Sequence, residues 1–281
     1  MLKRDPEHYN YETFRTVHLI EDAERALERT GVAIGSIAPD CELPRADGGW
    51  VRLRELRGQP VLLRFGSLTS PATIGSLEPL RELYSEWGDR VHFIDVVVRQ
   101  AHPGKKVPPY RSLEEKVLDA HRYKRNYHLP WTVCVDDVPG TVHQMYGGMS
   151  DPAYLIDADG RVVFYNMWAH VPTLDTAIGK LFAGSGRAGG GQGVDRVPHL
   201  MAALAGGWPA IRLGLLKSYT DLERAVPGAA FATLAGYLIQ PFIAPIALRS
   251  KPLPGSSRAA LAAGAAVTLG LWFSKRRKKI A

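Results

Sequence analysis

Two hydroxyl side chains, Thr69 and Ser70, sit in the turn Phe65-Gly66-Ser67-Leu68-Thr69-Ser70-Pro71. The turn lies between an apolar run, Pro60–Phe65, that reads as a buried strand and a segment, Ile74–Trp87, that reads as a helix. The first turn of a helix gathers unpaired backbone N–H groups and the positive end of the dipole. A thiol placed there has its pKa lowered and becomes a nucleophilic thiolate. This turn holds no sulfur. Ser70 becomes a nucleophile only if a base takes its proton, and no Gly-x-Ser-x-Gly elbow surrounds it. Capping the helix is the natural chemistry of Thr69 or Ser70 without such a base.

The other reactive residue types are sparse. Cys41 and Cys134 are the two cysteines of 281 residues, too few for a disulfide framework, so a reducing compartment is expected. Cys134 falls in the strand-like Thr132-Val133-Cys134-Val135, and both thiols read as small buried hydrophobes. His8, His18, His92, His121, His128, His143, His170 and His199 show no metal-ligand spacing, so no metal and no cofactor is expected. His121 and His128, seven apart, read as the solvated face of one helix. Asp136-Asp137 opens a loop and is expected to meet only solvent. No glycine-rich phosphate loop follows any strand.

The elements that must position these groups fall into zones. Residues 1–34 form a helical N-terminal extension. Phe14, Val17, Leu19, Ile20, Ala23, Ala26 and Leu27 recur at helical spacing over Tyr11–Arg29, Gly31 stops the helix, and its apolar face is expected to pack on the domain. Residues 35–183 form an α/β domain, with strands expected at Val61–Phe65, Val91–Val98, Thr132–Val135, Ala153–Ile156 and Val162–Tyr165. Helices are expected at Ile74–Trp87, Ser112–Tyr127 and Thr173–Phe182, which implies a mixed central sheet flanked by helices. Asp159-Gly160 signals a hairpin. Residues 184–193 read as a glycine-rich linker, since Ala183–Gly193 has six glycines in eleven residues.

Residues 194–281 are helical and hydrophobic. Ala225–Leu248 is 24 residues without a charge, long enough to span a bilayer, although Pro227, Pro241 and Pro245 interrupt it. Ala259–Phe273 adds 15 uncharged residues ending in Trp272-Phe273, followed by Lys275-Arg276-Arg277-Lys278-Lys279. The pair reads as a helical hairpin at a membrane through 225–273. A single span with a surface-lying partner, or a buried apolar pair in a soluble protein, are the alternatives. Leu200–Leu216, broken by Gly206-Gly207 and Pro209, reads as amphipathic and surface-lying. Met1–His8 has no apolar core, so no secretory signal is expected and the main domain is placed on the cytoplasmic side. The formal charge of +7 comes largely from the five basic residues of the tail; without aromatics interleaved among basic residues, nucleic acid is excluded as a partner.

The order of several motifs identifies a resemblance. Gly35-Ser36-Ile37-Ala38-Pro39-Asp40, Val51–Pro60 and the turn itself resemble the redoxin branch of the thioredoxin superfamily, over about Gly35 to Pro172. The match is most similar to iodothyronine deiodinases. Phe65-Gly66-Ser67-x-Thr69-x-Pro71 resembles their active-site turn, in which the position of Ser70 holds selenocysteine or cysteine and that of Leu68 is a cysteine in some members. Ala101-His102 matches an Ala-His of the same pattern, and Asp151-Pro152 to Asp159-Gly160 resembles the strand and hairpin facing the site. The resemblance thus implies a thioredoxin-like fold, with Ser70 and His102 at the family's catalytic positions and the catalytic thiol missing.

Two functions from different classes follow. One is a membrane-attached protein that has lost its thiol and binds a protein partner or ligand, or serves as an accessory subunit of a membrane complex. The other is an active oxidoreductase that recruits Cys41 or Cys134, or an activity built on Ser70 with His102.

Overall fold

A computed structural model describes residues 9–184, 192–193 and 196–257 of the chain. Its centre is a sheet in the order β5-β4-β3-β6-β7-β8. Strand β3 (Val61–Gly66) pairs in parallel with β4 (His92–Val97), which pairs in parallel with β5 (Thr132–Val135). On its other side β3 pairs antiparallel with β6 (Ala153–Ile156), and β6 with β7 (Val162–Asn166) across the expected Asp159-Gly160 turn. A two-residue β8 (Gln192–Gly193) runs parallel to β7. A separate antiparallel pair, β1 (Glu42–Pro44) with β2 (Trp50–Arg52), precedes the sheet.

Helices cover both faces, which is why β3 is buried along its whole length and reads as an unbroken apolar run. Leu62 points to a core shared with Leu80, Leu83, Leu155 and Leu174. Val61, Leu63 and Phe65 point to the opposite core with Ile94, Tyr154 and Tyr165, as strand alternation requires.

Several expected elements are altered. The helix expected at Ile74–Trp87 starts three residues earlier and is split into α2 (Pro71–Gly75) and α3 (Leu77–Trp87). Ser76 sits at the break; its Oγ donates to the Thr73 carbonyl at 2.8 Å and accepts from Arg64 at 2.6 Å. Helix α4 (Leu113–Asn126) is capped by Ser112 and ends before His128, whose φ of 48° lies in the left-handed region. His121 and His128 therefore do not share a helical face. Three further helices complete the domain and its N-terminal flank: α5 (Thr141–Met145), α6 (Val171–Phe182) and α1 (Thr16–Glu28).

Helix α1 docks as expected, but of its apolar stripe Ala26 alone is buried in the core, and polar groups supply the specific contacts. Buried Asp22 accepts from the Ser150 N–H at 2.8 Å and from Trp168 Nε1 at 3.1 Å, and Arg25 donates to the Gly148 carbonyl at 2.7 Å. Val17, Ile20 and Leu27 face outward, with Leu27 81% exposed. The helix ends at Arg29, in the left-handed region at φ 55°, two residues before Gly31.

The C-terminal region forms α7 (Arg196–Gly206), α8 (Trp208–Leu213), α9 (Leu215–Ala225), α10 (Ala229–Leu238) and α11 (Gln240–Ala247). The uncharged run Ala225–Leu248 is thus not one continuous helix. Helices α10 and α11 meet at 100° around Ile239, and among the described residues no single helix is long and apolar enough to cross a membrane. Pro241 lacks the N–H that would continue α10 and fits the first turn of a new helix instead. The stretch Leu200–Leu216 is two-faced, as its amphipathic reading expects: Ala202, Ala203, Ala205, Ala210 and Ile211 are buried, whereas Leu200, Met201, Leu215 and Leu216 are exposed. Ala259–Phe273, Lys275–Lys279 and residues 185–191 of the glycine-rich segment lie outside the described residues.

Candidate functional site

The turn after β3 is tied down on every side. Ser70 is the N-cap of α2; its Oγ accepts the Thr73 N–H at 3.2 Å and is buried, with 6% of the residue exposed. Thr73 Oγ1 accepts from the Ser67 N–H at 3.2 Å and donates to Asp151 Oδ1 at 2.9 Å. Thr69 Oγ1 donates to Gln100 Oε1 at 2.8 Å and accepts the His102 N–H at 3.0 Å. Gln100 passes the chain of bonds to the Tyr110 hydroxyl at 2.5 Å. Ser67 Oγ accepts the Ala101 N–H at 3.2 Å.

His102 is brought to this neighbourhood but not to Ser70. Its backbone bonds Thr69, whereas its imidazole meets the Phe14 ring edge-on at 4.4 Å between centroids. No hydrogen bond joins it to Ser70 Oγ, and its buried Nδ1 has no partner. Burial pushes its pKa down to about 3, so the ring is neutral at physiological pH. A general base must lie within hydrogen-bond reach of the proton it takes. Ser70 and His102 do not form that pair.

The chain covers the site with its own ends. Helices α7 and α8 lie directly on α2. A Cβ at Gly75 would stand 2.3 Å from the Ala202 carbonyl oxygen, so only glycine admits this approach. His199 on α7 reaches to within 2.9 Å of Asp151 Oδ2, both residues about 1% exposed, although the pair is not aligned as a hydrogen bond. On the other side, Ser218 Oγ of α9 donates to the His102 carbonyl at 2.8 Å, and the Tyr11 hydroxyl donates to the Ala101 carbonyl at 2.8 Å. Lys217 Nζ donates to the Glu12 carbonyl at 2.6 Å and Thr16 Oγ1 to the Ala225 carbonyl at 3.0 Å, so the two flanks hold each other across the turn.

Beneath α2 lies an ionic network. Arg64 on β3 is bidentate to Asp95 on β4, at 2.9 and 2.7 Å, and donates to Ser76 Oγ; the Tyr123 hydroxyl donates to Asp95 Oδ2 at 3.1 Å. Burial alone would lower the Arg64 pKa, but the facing Asp95 carboxylate raises it, so the charge is kept. The network fixes the break between α2 and α3.

Neither thiol is poised for redox chemistry. Burial pushes Cys41 and Cys134 up to about 12 each, and both are unpaired. A reactive cysteine needs a depressed pKa. Among the described residues there is no cluster of three or more His, Cys, Asp or Glu side chains suited to a metal ion.

The Asp136-Asp137 expectation is corrected. Asp136 is fully buried and caps α5, accepting the Val142 and His143 N–H groups at 3.1 and 2.8 Å; Asp137 binds Thr141. His143 is buried as well. Its Nε2 donates to the Met149 carbonyl at 2.6 Å, which leaves Nδ1 to accept from the Tyr9 hydroxyl at 2.9 Å. The Arg64–Asp95 pair carried a sequence signal, one charge in each of two otherwise apolar strand runs. The Asp151–His199 contact carried none, because it joins segments 48 positions apart with no pattern between them.

Residues 34–165 match the AhpC/TSA family. The type II iodothyronine deiodinase of Neoceratodus forsteri is 27% identical over 145 residues, which is 41% of this chain and 54% of that protein. The thyroxine 5-deiodinase of Gallus gallus is 29% identical over 139 residues, 45% of this chain and 53% of that protein. The chain therefore spans about half the length of the curated relatives it matches. Among solved structures, the thioredoxin domain of a thiol-disulfide oxidoreductase from Bacteroides vulgatus aligns at 18% identity and a TM-score of 0.37, covering 47% of this chain and 86% of that one. The fold of residues 34–165 is thioredoxin-like, with homology to deiodinases.

Proposed function

We propose that this chain, built on a redoxin framework, is a membrane-associated, deiodinase-like protein that performs no thiol chemistry and serves as a binding or accessory subunit. The observation that carries the reading is the commitment of Ser70. Its oxygen is spent on capping α2, it is buried beneath α7 and α8, and no base is bonded to it. Serine without an activated alkoxide cannot form the sulfenic or disulfide intermediates that thiol reduction uses. Both cysteines are held as thiols by burial. Membrane association is supported by the exposed apolar surface of α10 and α11, and the cytoplasmic side by the unpaired thiols and the basic tail.

The test is dithiol-driven reduction of a peroxide and of an iodinated phenol by the full chain and by its Ser70→Cys variant. The wild type is expected to stay at the protein-free rate; turnover by Ser70→Cys alone would show that the scaffold still accepts a reactive thiol at this position. Turnover by the wild type above the protein-free rate would overturn the reading.

A further inference from the structure

The bend between α10 and α11 wears its large apolar side chains outside. Ala230, Thr233 and Gly236 of α10 face inward, and a Cβ at Gly236 would stand 2.7 Å from the Leu204 carbonyl oxygen. Ala247 and Leu248 of the α11 end pack on Ala202 and Ala205. The inner surface is thus made of small residues. Outside stand Phe231, Tyr237, Leu238, Ile239, Phe242 and Ile246, with Leu238 69% and Phe242 85% exposed. A helix pair in water ordinarily turns its large apolar residues inward. This pair is inverted, and its crest, Tyr237-Leu238-Ile239 with Phe242, is contiguous at the 100° bend.

We infer that this crest is a monotopic membrane-insertion wedge that enters one leaflet of an anionic bilayer without crossing it. The inference deepens the membrane association proposed above and rests on that reading.

Three features favour lipid over a protein occupant. No charged residue interrupts Ala225–Leu248, whereas Arg224 and Arg249 stand at its two ends, where headgroups would meet them. The sequence that continues past the wedge carries the uncharged Ala259–Phe273 and then the five basic residues Lys275–Lys279, a second apolar segment joined to a polybasic one. One weak anchor gives only reversible binding, and an apolar insertion combined with a basic cluster gives stable attachment to anionic lipid. Finally, neither helix alone is long enough to span, and their 100° bend presents an apex, which is the geometry of shallow insertion. Three acidic groups lie against the helix pair: Glu223 accepts the Gly228 and Phe231 N–H groups at 2.7 Å each, at the end of α10 remote from the bend, and Glu78 and Glu82 lie in the cleft against Pro241 and Pro245, where Glu82 accepts from Ser250 Oγ at 2.6 Å. None of them lies in the Tyr237–Phe242 segment that forms the crest.

The experiment uses the full chain carrying Cys41→Ser and Phe242→Cys labelled with nitrobenzoxadiazole, Cys41 being half-buried and the other native thiol, Cys134, buried. It is mixed with vesicles of phosphatidylcholine, with or without phosphatidylserine, and flotation is recorded in parallel. The label is expected to shift to the blue and gain intensity with the phosphatidylserine vesicles. A Leu238→Asp/Phe242→Asp variant should float at least about tenfold more weakly, since apolar insertion and charge oppose each other in the bilayer.

Flotation without any change in the label overturns the wedge but leaves membrane association standing through the tail. Failure to float at all removes both. A label already blue-shifted in dilute protein without lipid overturns the wedge in favour of the chain's own Ala259–Phe273 lying on the crest. A shift that appears only on concentrating the protein overturns it in favour of a second copy.

Discussion

Alanine at Gly75 and alanine at Gly179 should move stability in opposite directions. Both glycines are helical, Gly75 in α2 and Gly179 in α6. Helix propensity alone favours alanine by ~0.5–1 kcal/mol at each site. A Cβ at Gly179 meets nothing within 4 Å, so that gain should appear in full. At Gly75 the new carbon would lie 2.3 Å from the Ala202 carbonyl oxygen, 2.8 Å from its carbon and 3.1 Å from the Ala203 Cα. These are backbone atoms of α7 and cannot swing aside, so α7 must move off α2. Overpacking of this kind costs about 1–3 kcal/mol, which outweighs the propensity gain; since that gain is common to both sites, the two variants should differ by roughly the same 1–3 kcal/mol. Urea unfolding followed by circular dichroism reads the difference as opposite shifts of midpoint. In the Gly75→Ala protein, Ser70→Cys should also react faster with a thiol reagent, because the cover over the turn has loosened. Equal stabilisation by the two alanines would refute the docking of α7 on α2.

Other consequences are as direct. Ser70→Ala should cost ~1 kcal/mol in urea unfolding by removing the cap of α2, with no accompanying change in any catalytic rate. Arg64→Met should cost about 3–5 kcal/mol, because it leaves the Asp95 carboxylate buried and unpaired; a loss under 1 kcal/mol in the same urea assay would contradict the network. His102 and His143 are both held at about 3 by burial, against roughly 6.5 in an unfolded chain. Their folded pKa values are depressed, so the neutral-ring stability is complete above pH 6.5 and is lost as pH falls from 6.5 towards 3. His102→Leu, whose Nδ1 has no bond to lose, should make that decline shallower in a pH series of urea midpoints. Cys41 and Cys134 should resist a thiol reagent at neutral pH in the native protein and titrate fully once denaturant is added.

The sheet was legible because its strands are buried on both faces and their residue types repeat that burial; all five expected strands agree with the structure within a residue or so. The site was legible only in part. Ser70 as a helix cap follows from strand, turn and hydroxyl in sequence. The distance between Ser70 and His102 does not, because it depends on how β4 leaves the sheet and on Phe14 arriving from the other end of the chain. The apolar stripe of α1 misled for a related reason. Asp22 and Arg25 dock the helix through specific hydrogen bonds, which periodicity does not register. The region after residue 196 was read by hydropathy and by its proline and glycine breaks, which make Gly206 an interruption and leave Gly75 and Gly236 neutral. Those glycines are where backbone meets backbone, and their small size lets α7 bury the turn. Pro241 was visible as an interruption, but its sharp bend turned a candidate span into two short helices.

The most direct measurement is dithiol consumption by the full-length wild type at high protein concentration, with peroxide or an iodinated phenol, beside a Cys41→Ser/Cys134→Ser/Ser70→Ala variant. A non-catalytic redoxin-fold protein gives the same rate in both samples, equal to the rate without protein. A wild-type rate above that level, lost in the triple variant, would mean that one of the three residues is chemically active and that the cap, the cover and the buried thiols do not silence the site.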